Sequence, residues 1–144
     1  MKNTVKNFSE KQKEGLMSGI VFTEIDHNYV NPVTSNYAKQ MDSIFSNRSV
    51  WAKQGTGSDF YGSAESIFNE YMTWAVFCLY VMDKYDKPTA DLVINEREDR
   101  MVEKRFFIKF KEFDRELIRL RQENKNLDLA ALYPFILEWC KRQL

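Results

Sequence analysis

The chain has 144 residues, the length of one domain, and carries 21 Lys and Arg against 21 Asp and Glu, a net charge of zero. Apolar residues make up 44% and aromatics 15%, which excludes a disordered chain, and the balanced charge gives no global pull toward nucleic acid or an anionic membrane. Five Gly and three Pro leave too little turn punctuation for a many-stranded β protein, so the composition predicts a mainly α fold.

In chain order, the first fifteen residues contain no apolar h-region, so no signal peptide is expected in the chain as given. Ser9-Glu10-Lys11-Gln12 has the form of a capping box and predicts a helix start. Leu16, Ile20, Thr23 and His27 follow at spacings of four, three and four, which puts them on one face. Pro32 stops this helix near Asn31, because the residue before a proline is pushed out of the α region. A second helix is expected from about Ser35, with Ala38, Met41, Ile44 and Phe45 as its apolar stripe. Residues 46–62 collect Ser, Asn and three glycines and read as a long loop.

Ser63 can cap a third helix reaching about Tyr85, apolar on nearly every side between Tyr71 and Met82 and therefore central to the core. Its apolar run, Met72 to Met82, is about half the ~20 residues of a membrane span, so no span is expected. Beyond Pro88, Val102, Phe106, Lys109, Phe113, Leu117 and Leu120 recur at helical spacing. They predict one long amphipathic helix within residues 96–123, with Glu96–Arg100 and Glu112–Arg115 pairs on its outer surface. Asn124 and Asn126 break it. Asp128 opens a last stretch in which Pro134 begins or kinks a terminal helix carrying Ile136, Leu137, Trp139 and Cys140. The sum is one bundle of about five helices over residues 1–144. Cys78 and Cys140, isolated in apolar surroundings, read as two buried thiols.

Chemistry concentrates around the single histidine, in Thr23-Glu24-Ile25-Asp26-His27. A zinc peptidase of the HExxH type places two histidines at i and i+4 of a helix as ligands, with the intervening glutamate as base for the metal-bound water. Here Glu24 and His27 hold the second and fifth positions and Thr23 the first. Asn69-Glu70 follows in the central helix, where Glu70, Thr73, Trp74 and Phe77 share a face. A carboxylate buried there needs a partner: a metal, an arginine or His27 itself.

The blocks VFTEIDHNYVNP, GSAESIFNEYMTWAVFCLY and LYPFILEWC resemble a bacterial family of gluzincin-like zinc metallopeptidases, over roughly residues 15–144. That resemblance implies the helical half of a gluzincin, zinc as cofactor, His27 and Glu70 as metal ligands and Glu24 as catalytic base. It implies a peptide or protein substrate, and would suit a secreted or periplasmic protein. Thr23 departs from the family pattern, since a neutral hydroxyl is a poor ligand for zinc and two protein ligands fall short of the usual three. Only about twenty residues precede the motif helix, too few for the substrate-binding sheet of such enzymes, so the chain is expected to be a fragment or a reduced relative.

Each of these residues also has a plainer reading. His27 near a helix C-terminus and Glu70 near a helix N-terminus both suit the helix dipole, and Asp26 reads as a solvated residue. Tyr29 and Tyr61 could donate to an oxyanion or touch substrate, yet suit core or rim packing as well. The basic residues from Lys104 to Lys125 are interleaved with acids and read as a solvated face, not a nucleic-acid surface. Two functions are therefore expected: a metallopeptidase-like domain with a degenerate zinc site, weakly active or inactive toward peptides, or a non-enzymatic helical interaction or scaffold protein.

Overall fold

Ser63 starts the helix around which the rest of the chain packs. The structure is a computed structural model that describes residues 9–15, 33–55 and 61–144. Its labelled helices are α1 (Ala38–Phe45), α2 (Arg48–Trp51), α3 (Ala64–Lys84), α4 (Lys87–Glu103), α5 (Phe110–Glu123) and α6 (Leu129–Arg142), and no strand occurs among the described residues. The fold is mainly α, as the composition predicts.

Local chemistry sets most of the helix starts. At α3 the Ser63 and Ser66 side chains each accept from the other's backbone N–H, at 3.1 and 3.2 Å. Asp86 caps α4 by accepting from the Thr89 N–H at 3.2 Å, and Pro88 sits in its first turn, where no backbone donor is missed. The Ser9–Gln12 box forms at 2.9 and 3.2 Å and opens a helix over residues 10–15. That helix closes on the seam between α3 and α4 at Gly15, where an added Cβ would lie 2.9 Å from Val93 Cγ2. Only a glycine permits so close an approach without displacing Val93.

Helix α3 touches α1, α4 and α5, and α6 closes the bundle by packing on α5 and α1. Twelve of its 21 residues are buried, among them Ile67, Phe68, Tyr71, Met72, Phe77 and Val81. Each large apolar side chain so removed from water contributes roughly 1.5–3 kcal/mol before entropy is counted. Met41, Ile44 and Phe45 of α1 face this core as the stripe predicts, whereas Ala38 is exposed. Cys78 and Cys140 are buried free thiols. No described helix is long and apolar enough to cross a membrane.

Three expectations are corrected. Residues 46–62 are not loop throughout, because α2 forms there and delivers Trp51 into the core, its ring 4.4 Å from that of Phe45. Helix α6 begins at Leu129 under an Asp128 cap (2.9 Å to the Ala131 N–H), so Pro134 lies inside it and does not begin it. The long helix expected over residues 96–123 is two helices. It breaks at residues 104–109, where Phe106 takes a φ of 61°, in the left-handed region. The break is held from outside: Lys53 N–H donates to Phe106 O at 3.0 Å and Ile108 N–H to Trp51 O at 3.0 Å. Buried Tyr71 joins the two segments, donating to Trp51 O and accepting from the Lys109 N–H at 3.2 Å. The apolar period survives because α4 and α5 both turn one face to α3, but the chain reverses between them.

Left-handed backbone costs a side-chain-bearing residue about 1–2 kcal/mol, and glycine almost nothing. Phe106→Gly is therefore expected to be more stable than Phe106→Ala by about 1 kcal/mol in urea unfolding, inverting the order found inside a helix. Equal stabilities, or Ala above Gly, would contradict the left-handed turn.

Candidate functional site

The first turns of α3 bring Glu70 to the α4–α5 turn. Glu70, Thr73, Trp74 and Phe77 are all buried, so the face read from their spacing is inward. The Glu70 carboxylate meets Arg105, whose Nη2 donates to Oε2 at 3.1 Å. The same Nη2 donates to the Tyr61 hydroxyl at 2.6 Å. Of the three partners that burial demanded, the arginine is present. It comes from the turn that breaks the expected helix, so the Phe106 reversal aims Arg105 back at α3.

The site is a half-buried, charge-balanced cluster. The Arg105 guanidinium lies 5.9 and 5.8 Å from the ring centroids of Tyr61 and Phe107, which pack on each other at 5.5 Å beside it. Arg48 Nη1 donates to the carbonyl of Tyr61 and fixes the segment that carries it. Burial and the neighbouring Glu70 carboxylate push the Tyr61 phenol above its usual range, with Arg105 opposing them. A phenol so raised stays protonated at neutral pH, suited to hydrogen bonding and not to acting as a base. The side chain of Arg105 is 32% exposed, and its Nε and Nη1 donate to no described residue. The arrangement can bind a carboxylate or a carbonyl oxygen at that free edge.

Of the residues singled out from sequence, Glu70 and Tyr61 come together here. Thr23, Glu24, Asp26, His27 and Tyr29 lie outside the described residues. Among the described residues no group of three or more His, Cys, Asp or Glu side chains could hold a metal ion. Sequence reasoning missed Arg105 itself, having read it as one residue of a solvated basic face; its neighbours Phe106 and Phe107 were the available sign of a buried segment. The pair expected between Glu112 and Arg115 is replaced by one across helices, from Arg115 to Glu98, whereas Glu96–Arg100 forms at 2.8 Å.

Comparison of the chain with family models, with curated proteins and with solved structures finds no match.

Because the pair is largely buried, Arg105→Met should cost about 1.5–3 kcal/mol by leaving Glu70 short of a charged donor. Adding Glu70→Gln to it should recover part of that loss, a coupling of about 1 kcal/mol or more in a double-mutant cycle by urea unfolding. Strict additivity would mean that the two side chains do not meet.

Proposed function

We propose that the chain is a metallopeptidase-like helical domain that binds peptide without cleaving it, with Arg105 supplying at Glu70 the positive charge that zinc supplies in an active relative. The observation that carries this reading is the Arg105–Glu70–Tyr61 cluster, with its 3.1 and 2.6 Å contacts. Thr23 at the first ligand position supports it independently, since it subtracts one of the donors a catalytic zinc requires.

The exchange of a cation for a guanidinium separates binding from hydrolysis. Zinc lowers the pKa of its water to about 7 and so makes a nucleophile at neutral pH. A guanidinium has no open coordination position and cannot do this, but it keeps a carboxylate neutralised in the core and presents N–H donors to an oxygen ligand. Arg105 uses one nitrogen inward, on Glu70 and Tyr61, and the other two are left for a peptide carboxylate or carbonyl. Glu24 then has no metal-bound water to deprotonate, and its part in the family's chemistry is vacant.

Zinc titration of the purified protein tests the reading. Wild type and Thr23→His are expected to bind zinc weakly, because Arg105 still holds Glu70. Thr23→His combined with Arg105→Gln should gain at least ~10-fold in affinity as three ligands become available. Zinc-dependent peptide cleavage by the wild type, abolished by Glu24→Gln, would overturn the proposal in favour of an active enzyme. No gain in the folded double variant would favour the interaction or scaffold protein.

A further inference from the structure

Away from this cluster, two acids are enclosed between α4 and α5. Glu98 of α4 and Asp114 of α5 are both 0% exposed. Arg115, the residue after Asp114, gives its hydrogen bonds to other groups: Nε donates to both Glu98 oxygens at 3.1 and 3.2 Å, and Nη2 to Glu98 Oε1 at 3.1 Å and to Asn95 Oδ1 at 3.5 Å. Asp114 receives nothing comparable. Neither Oδ1 nor Oδ2 accepts a hydrogen bond from any described group. The neighbours of Asp114 are the Glu98 carboxyl and the Cys78 thiol of α3.

Two carboxylates beside one guanidinium leave a negative charge over in the core. Arg115 itself is 57% exposed in its side chain, so solvent screens part of what it offers. Two carboxyls in contact can hydrogen-bond only when one of them carries a proton, which it donates to the other. We propose that Asp114 keeps its proton at neutral pH and donates it to the Glu98 carboxylate, and that this hydrogen bond latches α5 onto α4, so that alkaline pH loosens the α4–α5 seam.

The surroundings favour retention of the proton. Burial, then the Glu98 carboxyl, push Asp114 well above the usual carboxylate range, against a smaller opposing pull from Cys78 and Arg115. The Cys78 thiol is likewise pushed up by burial and by Asp114, and brings no competing negative charge. Arg97 of α4 is the other cation near that thiol, but it stacks on Trp74 at 3.6 Å, and burial draws it down to about 10. Asp91 of α4 acts on Arg115 and opposes nothing at Asp114. From α6, also packed on α5, comes the buried thiol of Cys140, likewise driven up by burial.

The sign of the effect follows from linkage. An unfolded chain releases this proton near the ordinary carboxylate value of about 4, whereas the folded chain keeps it to higher pH. The stabilisation is therefore complete below about pH 4 and declines as pH rises toward the folded value. Glu14 and Asp86, held below their usual range by Tyr85 and Thr89 respectively, act in the opposite sense, and only in acid.

Thermal unfolding of wild type and Asp114→Asn between pH 5.5 and 9 tests the latch, because an asparagine amide can donate to Glu98 at every pH. The wild-type midpoint should fall as pH rises, and the variant should be flatter and melt higher than wild type at pH 9. Parallel profiles would overturn the proposal. Should the variant fail to fold, carboxyl carbon NMR of the wild type decides. A protonated signal from the Glu98–Asp114 pair at pH 7 supports the latch, and two ionised signals refute it.

Discussion

A central helix enclosed by its neighbours leaves its polar side chains no solvent to fall back on. Helix α3 touches α1, α4 and α5, and Glu70, Thr73 and Cys78 are all buried on it. Water cannot serve such groups, so each must find a complement in a neighbouring element or remain neutral. Glu70 takes the first course, with Arg105 and Tyr61. At the other site Cys78 faces Asp114, a carboxyl with no donor of its own, and there the economical solution is to keep the proton. One constraint thus produces two unlike sites, an ion pair at Glu70 of α3 and, against Cys78 farther along that helix, an acid pair from α4 and α5.

The α4–α5 turn ties these features together. Its left-handed Phe106 reverses the chain, lets Arg105 point back at Glu70, and turns α5 so that Arg115 and Asp114 come against Glu98. Tyr71 secures the same turn from within α3, through its hydroxyl and through edge-on packing against Phe107 and Phe113. A residue that holds backbone in a strained region is found where the surroundings over-determine it, and here the backbone hydrogen bonds to Lys53 and Trp51 and the buried Tyr71 do so.

Much of this architecture is legible in the sequence because it is written in short range. The Ser63 and Ser9 caps and the inward face of Glu70, Thr73, Trp74 and Phe77 follow from spacings of three or four residues, and the buried cysteines from their apolar surroundings. The break at residues 104–109 was not legible, because the usual sign of a left-handed cap is glycine or asparagine and this chain uses phenylalanine. The Arg115–Glu98 pair spans two helices that periodicity had merged into one, so the nearer Glu112 was assigned in its place. Burial required some partner for Glu70 and an arginine was among the candidates, but only the fold selects Arg105. Thr23, Glu24, Asp26, His27 and Tyr29 lie outside the described residues, so the motif keeps only its sequence argument.

The reading of the chain as a binding domain rests on which cation neutralises Glu70. Anomalous diffraction at the zinc edge, from crystals of the wild-type protein grown with zinc, measures this directly. The account predicts no zinc peak within coordination distance of Glu70 and the Arg105 guanidinium in hydrogen-bonding contact with Oε2. A zinc ion bridging Glu70 and His27, with Arg105 turned away, would contradict it.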